Sequence, residues 1–325
     1  MIRDGRYPSK LSLPLSIQLE LTDKCNLKCK HCYNRSGEKV GNFNLKLNDW
    51  LGVARNIISN GGVFQVIISG GEPLMLKNDL FKIMDEFHND NSRFVFITNG
   101  FLINKTNIKK LKKYNYAWMQ VSIDGVDSKT HDLFRQRNGS WERAIVAATM
   151  ISSEGIPLKI ACSLPADEID KIDAYIDQAY QLGASAVILG DIMPSGRAVD
   201  FSGLTLTENQ KEFFLNRIHD ARVRYQGIIE VQTSSFIKLQ LKQASSGTID
   251  SAIIRPTGDV RLDCVAPFVI GNVLQEQFSE IWRKLPGDVW RSRQVQEYIE
   301  SIDKYTGQST MASNYNDTDF LLQRS

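Results

Sequence analysis

Apolar residues along this chain fall into short runs separated by longer amphipathic stretches. The runs SIQLEL (16–21), QVIIS (65–69), FVFIT (94–98), MQVSI (119–123), LKIACS (158–163) and AVILG (186–190) are rich in Ile, Val and Phe and predict strands. Between them, helical periodicity predicts helices at about 47–60, 79–90, 104–113, 140–154 and 168–182, several with Asn, Asp or Ser placed as N-caps. Strands alternating with helices predict an α/β fold of about six βα units with parallel strands, whose ligands bind at the carboxyl ends of the strands. Past residue 205 the pattern changes. A helix at about 207–226, short strands at 228–232, 252–256 and 260–263 around a Thr-Gly-Asp turn, and a helix near 278–285 predict a small α+β appendage. The expected division is therefore 1–205, 206–290 and a polar tail, 291–325, that is loosely ordered.

Composition narrows the class. With 42% hydrophobic and 23% charged residues the chain is globular, and 39 Lys plus Arg against 37 Asp plus Glu leave a net charge of +2, far from the basic excess that nucleic acid selects. Lys105, Lys109, Lys110, Lys112 and Lys113 are expected to form a solvated helix face. No apolar run reaches the ~18 residues that span a bilayer, so the expectation is a cytoplasmic protein with neither nucleic acid nor membrane as partner. Of five cysteines, Cys25, Cys29 and Cys32 lie together, while Cys162 and Cys264 stand alone, which is unlike a disulfide framework and points to metal.

Four unusual segments follow four of the predicted strands: the cysteine run, GGEP (70–73), TNG (98–100) and SIDG (122–125). Three thiolates spaced CxxxCxxC can hold three irons of a 4Fe-4S cubane and leave the fourth iron open. A zinc site completed by His31 is the competing reading, strained because His31 directly precedes Cys32. In GGEP, the glycine pair permits close backbone approach or positive φ, and Glu72 offers an acceptor to an ammonium. Ser122 and Asp124 offer a hydroxyl and a carboxylate, or cap the following turn. Arg135, with Arg137 as rival, can fork onto a carboxylate.

In this order and spacing, LTDKCNLKCKHCY, ISGGEPL, FITNG and VSIDG resemble the radical S-adenosylmethionine (SAM) superfamily over roughly residues 15–200. The resemblance implies a partial (β/α)6 barrel. Cys25, Cys29 and Cys32 would bind one 4Fe-4S cluster, and Gly70, Gly71, Glu72, Pro73, Asn99, Ser122, Asp124 and Arg135 would form the SAM pocket, GGEP taking the methionyl amine. SAM would be cleaved to a 5′-deoxyadenosyl radical that abstracts hydrogen from substrate, with electrons from an external donor such as flavodoxin or ferredoxin. The segments IMPSGRA (192–198) and TGDVRLDCVAPFVIGNVLQEQFSEIW resemble the subgroup with a C-terminal SPASM or twitch extension, but Cys264 is its only cysteine here, and Ser245 and Ser246 stand where an earlier ligand is expected. No auxiliary cluster is expected. Cys162 and Cys264 are candidate hydrogen-atom donors, with core packing as the alternative. By subgroup analogy the substrate is a ribosomally made peptide to be cross-linked, epimerised or oxidised. Only about 15 residues precede the first strand, so the rival is a small metabolite such as a sugar or nucleotide, or else a separate peptide-recognition protein takes part. A non-catalytic iron-sulfur carrier or sensor is the remote alternative, which would leave GGEP, TNG and SIDG without a task. The tryptophans Trp118, Trp141, Trp282 and Trp290 line the substrate cavity or fill the core; spacing does not decide.

Overall fold

A computed structural model describes residues 8–38, 44–234, 237–264, 266–301 and 320–321. The elements run β1 (Ser16–Glu20), α1 (Leu47–Ser59), β2 (Gln65–Ser69), α2 (Asn78–Asn89), β3 (Arg93–Thr98), α3 (Lys105–Leu111), β4 (Tyr116–Ser122), α4 (Ser128–Arg135), α5 (Ser140–Ser153), β5 (Leu158–Ser163), α6 (Ile172–Gln181) and β6 (Ala186–Gly190). They continue with α7 (Glu208–Arg224), β7 (Glu230–Thr233), α8 (Ile237–Ser246), β8 (Ser251–Ile254), β9 (Asp259–Arg261), β10 (Phe268–Asn272), α9 (Phe278–Lys284), α10 (Arg293–Ser301) and β11 (Phe320–Leu321).

The strands form one sheet in the order β11-β10-β9-β8-β1-β2-β3-β4-β5-β6-β7. From β1 to β7 all pairs are parallel and spatial order follows chain order. Right-handed crossovers then put every connecting helix on one face, leaving the other as the inner face of a partial barrel. Alternation along the strands fits that arrangement. Leu158, Ile160 and Cys162 of β5 enter the core beneath the helices, whereas Lys159, Ala161 and Ser163 are half-buried on the inner face. Helix α1 shows the matching logic: Trp50, Val53, Ala54 and Ile57, spaced for one helical stripe, are its buried residues.

The sheet runs through residue 205. β7 pairs parallel with β6, and β8 pairs parallel with β1 on the opposite side, so the region expected as an appendage supplies a neighbour to each end of the six-strand array. β8 and β9 then turn back antiparallel around Gly258, at φ +90°, as the Thr-Gly-Asp signal implied.

Among the described residues, three α-helices (α4, α8 and α10) and two strands (β10 and β11) are additional to those expected. The short α4 is capped by Asp127, whose side chain accepts from Thr130 N. α10 occupies part of the expected loose tail and buries Val295 and Ile299. The rest of that tail, 302–319 and 322–325, lies outside the described residues. Trp282 and Trp290 are core residues, while Trp118 is half-buried on the inner face. Lys112 and Lys113 pair with Glu154 and Asp85 on the surface, as a solvated face should. Among the described residues no helix is long and apolar enough to cross a membrane.

Candidate active site

The chain leaves β1 into an irregular loop that carries all three clustered cysteines, and three neighbouring segments close on it. From β2, Gly71 N donates to Thr22 O at 2.6 Å and Glu72 N to Lys24 O at 2.9 Å. A Cβ at Gly71 would stand 2.2 Å from Lys24 O, and one at Gly70, whose φ is +135°, would stand 2.6 Å from Thr22 O. The glycine pair is thus needed for backbone approach to the cysteine loop. Pro73 opens a 3-10 helix (Pro73–Leu76), where its missing N–H costs nothing.

Glu72 is fully buried and turned into the protein. Its carboxylate accepts from Thr98 Oγ1 at 2.9 and 3.0 Å, from Asn99 N at 2.9 Å and from Leu74 N at 3.3 Å, so it ties GGEP to the end of β3. Burial pushes its pKa up to about 7 against the pull of those hydrogen bonds. Asn99 reaches the cysteine loop directly: Nδ2 donates to Asn26 Oδ1 at 3.0 Å and lies 3.7 Å from Cys25 Sγ.

From the ends of β4 and α4 come Asp124 and Arg135, both buried. Arg135 Nε lies 2.5 Å from Asp124 Oδ2, and its Nη1 points at Cys29 Sγ at 3.5 Å. Asp124 is fixed on its other side by Ser163 N at 2.9 Å, while its own N–H donates to His131 Nδ1 at 3.1 Å. His31 stacks on Phe134 with ring centroids 4.6 Å apart and turns Nε2 toward Asp124 at 3.7 Å. Burial holds both His31 and His131 down to about 4. Ser122 is half-buried at the end of β4.

Sequence reasoning missed the group that closes the loop from below. Arg197, just past β6, is 6% exposed and donates through Nε to Cys29 O, through Nη2 to Ser36 O and through Nη1 to Glu38, each at 2.9 Å. Its N–H donates to Cys32 O, and a Cβ at Gly196 would lie 2.3 Å from that same oxygen. The signal was the SGR of IMPSGRA, whose partners lie some 160 residues away and are invisible to local pattern.

The two lone cysteines sit elsewhere. Cys162 is 3% exposed in the core beside Tyr175 of α6, opposite the inner face. Cys264 packs against the same core near Asp263 and Glu20, and burial pushes its thiol up.

The donor set fits an iron-sulfur cluster. Three thiols share one loop, and two of them receive N–H groups from outside it, the kind of donors that accompany cluster sulfurs. Burial pushes the free Cys25 thiol up to about 12 and raises Cys29 as well, so loading with iron must release protons. Among the described residues no three His, Cys, Asp or Glu side chains converge as a single metal ion would need.

Residues 19–179 match the Radical SAM superfamily. The chain carries a radical SAM domain, and its mixed α/β fold with a parallel sheet is the one seen in solved structures of such proteins. The chain is similar to the antilisterial bacteriocin subtilosin biosynthesis protein AlbA of Bacillus subtilis, 26% identical over 292 residues, covering 88% of this chain but 63% of that protein. It is also similar to the AdoMet-dependent heme synthase of Methanosarcina barkeri, 28% identical, covering 83% and 82% respectively. Among solved structures, Streptococcus suis SuiB bound to S-adenosylmethionine superposes with a TM-score of 0.68 at 18% identity, over 88% of this chain and 69% of that one. SuiB bound to its precursor peptide SuiA gives 0.66 at 17% identity, over 95% and 72%.

Proposed function

We propose that this protein is a radical SAM enzyme acting on a peptide. The observation that carries the reading is the interlocking of the three-cysteine loop with GGEP, TNG and Arg135 at one edge of the sheet, where an open α/β fold binds ligands. Cys25, Cys29 and Cys32 would hold the cluster. Together with SAM, that group supplies reductive cleavage to methionine and a 5′-deoxyadenosyl radical able to take a hydrogen atom from substrate. The backbone of Gly70 and Gly71 and the side chain of Asn99 border the loop, Ser122 lies at the end of β4, and together they would orient SAM. Glu72 acts from behind, since its oxygens are committed to Thr98, Leu74 and Asn99. Asp124 and Arg135 brace the cluster side of the pocket. Iron-sulfur ligation beyond the first loop is not proposed: Cys264 is the only cysteine after Cys162.

The peptide class rests on relatives such as AlbA and goes with a polar inner face, where Gln120 is half-buried while Gln18 and Gln65 donate to Ser69 and Ser16 and Gln232 accepts from Lys159. The division into a radical SAM unit ending near 205 and a C-terminal SPASM-like region goes with this reading, as does an external one-electron donor. The test is 5′-deoxyadenosine formation by anaerobically reconstituted protein with SAM and dithionite, against Cys29→Ala. Product that requires Cys29 and rises with a precursor peptide supports the reading. Stimulation by a porphyrin or a sugar nucleotide instead of any peptide would overturn the substrate class, and no product from fully loaded protein over that panel would overturn the activity.

A further inference from the structure

The inner face carries one cation whose surroundings point to a ligand. Lys159 follows Leu158 at the start of β5 and lies on the opposite side of the strand from Leu158, Ile160 and Cys162, all of them core residues. Its ammonium reaches in both directions across the sheet. It sits over the Trp118 ring of β4, 4.1 Å from the centroid, and donates to Gln232 Oε1 of β7 at 3.2 Å. Neither partner carries charge, and among the described residues no carboxylate lies within ion-pair distance of Lys159.

Among the other charged groups of this face, Arg93 donates to Tyr116 O and Glu20 accepts from Tyr33 OH at 3.2 Å, while Glu230 is exposed on β7, two strands from Lys159 in the same row. A half-buried ammonium held by an aromatic face and an amide, with no carboxylate paired to it among the described residues, can take an anionic group of a ligand as a further partner. Gln232 also lines a cavity of about 800 Å³ along β7 together with Arg222, Ile188 and Glu230, whereas Lys159 and Trp118 are not among its lining residues.

We propose that Lys159, framed by Trp118 and Gln232, is the recognition site for a carboxylate of the substrate. The proposal deepens the peptide reading above, and it selects an acidic peptide. Lys159 lies four residues before Ser163, the end of β5, which at ~3.3 Å per residue puts it about 13 Å along the strand from the cysteine-loop edge. An extended peptide would therefore carry its acidic group roughly four residues from the residue that meets the radical.

Calorimetric titration of the reconstituted, SAM-loaded protein with the blocked tripeptides acetyl-Ala-Glu-Ala-amide and acetyl-Ala-Gln-Ala-amide tests this, using wild type, Lys159→Gln and Lys159→Arg. The expected result is binding of the Glu peptide about tenfold tighter than its Gln isostere, a difference of ~1.4 kcal/mol. That preference should vanish in Lys159→Gln and persist in Lys159→Arg. Equal affinity for the two peptides on wild type, including no binding of either at about 10 mM, would overturn the proposal, as would a preference that survives in Lys159→Gln. Should Lys159→Gln fail to fold, the wild-type pair and Lys159→Arg still decide it. Because the readout is binding, absence of 5′-deoxyadenosine formation would sink the activity while leaving this site standing, and the converse also holds.

Discussion

Arg135 faces inward to the cysteine loop, since both ends of its guanidinium are occupied, one by Asp124 at 2.5 Å and one by Cys29 Sγ at 3.5 Å. A fixed positive charge beside a cluster ligand favours the reduced, more negative state. Removing Arg135 alone would strand a buried carboxylate at a cost of about 3–5 kcal/mol, so the informative variant is the double Asp124→Asn/Arg135→Met. Its cluster should titrate at a more negative midpoint, because Arg135, which touches Cys29 Sγ, outweighs the opposing charge of Asp124 that is removed with it; the shift is about 60 mV for each ~1.4 kcal/mol of net attraction lost in a one-electron couple. A redox titration followed by electron paramagnetic resonance measures it, and an unchanged midpoint would assign the pair to packing alone. Thr98→Val makes the complementary test on Glu72. It keeps shape but deletes the hydroxyl that donates to both carboxylate oxygens, and should lower stability by about 1–3 kcal/mol in chemical denaturation. The contacts to sulfur are not readable from sequence: Asn99 and Arg135 are visible as polar residues in unusual motifs, but their partners Cys25 and Cys29 lie 74 and 106 residues away.

Among the elements, what the pattern revealed and what it concealed divide along physical lines. The parallel strands β1 to β6 are plain because each buries at least one whole face and so concentrates Ile, Val and Phe. The motifs are plain because they interrupt the chain at equivalent strand ends. α4 escaped notice because eight residues hold too few turns for a periodicity, and β10 because FVIGN sits in a stretch read through its resemblance to an extension domain. The meaning of GGEP was only half legible. Its glycines do permit close approach, but to Lys24 O and Thr22 O of the same chain, which only the fold reveals. Gly71→Ala should therefore push the cysteine loop away and reduce iron and sulfide retained after reconstitution. Gly52→Ala, in the middle of α1 with nothing within 4 Å of the added methyl, should retain full loading and gain roughly 0.5–1 kcal/mol of helix stability. Equal loading of the two variants would show that the loop tolerates displacement.

For the molecule as a whole, the change of pattern near residue 205 marks a change in chain character while the sheet continues. Ile17 and Leu19 of β1 lie between Val66 and Ile68 of β2 on one side and Ala252 and Ile254 of β8 on the other, all buried and in register. A chain ending at 205 would keep every motif of the cysteine-loop edge, Arg197 included, and yet lose β7 from beside β6 and β8 from beside β1. Both newly bared strands, SIQLE and AVILG, are apolar on their core faces, and unpaired apolar edges invite association. The site depends on β1 more than on any other strand, because the cysteine loop leaves from its end. Fragment 1–205 is accordingly expected to aggregate or to lack a near-ultraviolet circular dichroism signal, and to retain little iron. A soluble fragment with native-like spectra and a full cluster would show instead that β1 to β6 form a self-sufficient unit, and that β7 and β8 join an edge already stable without them.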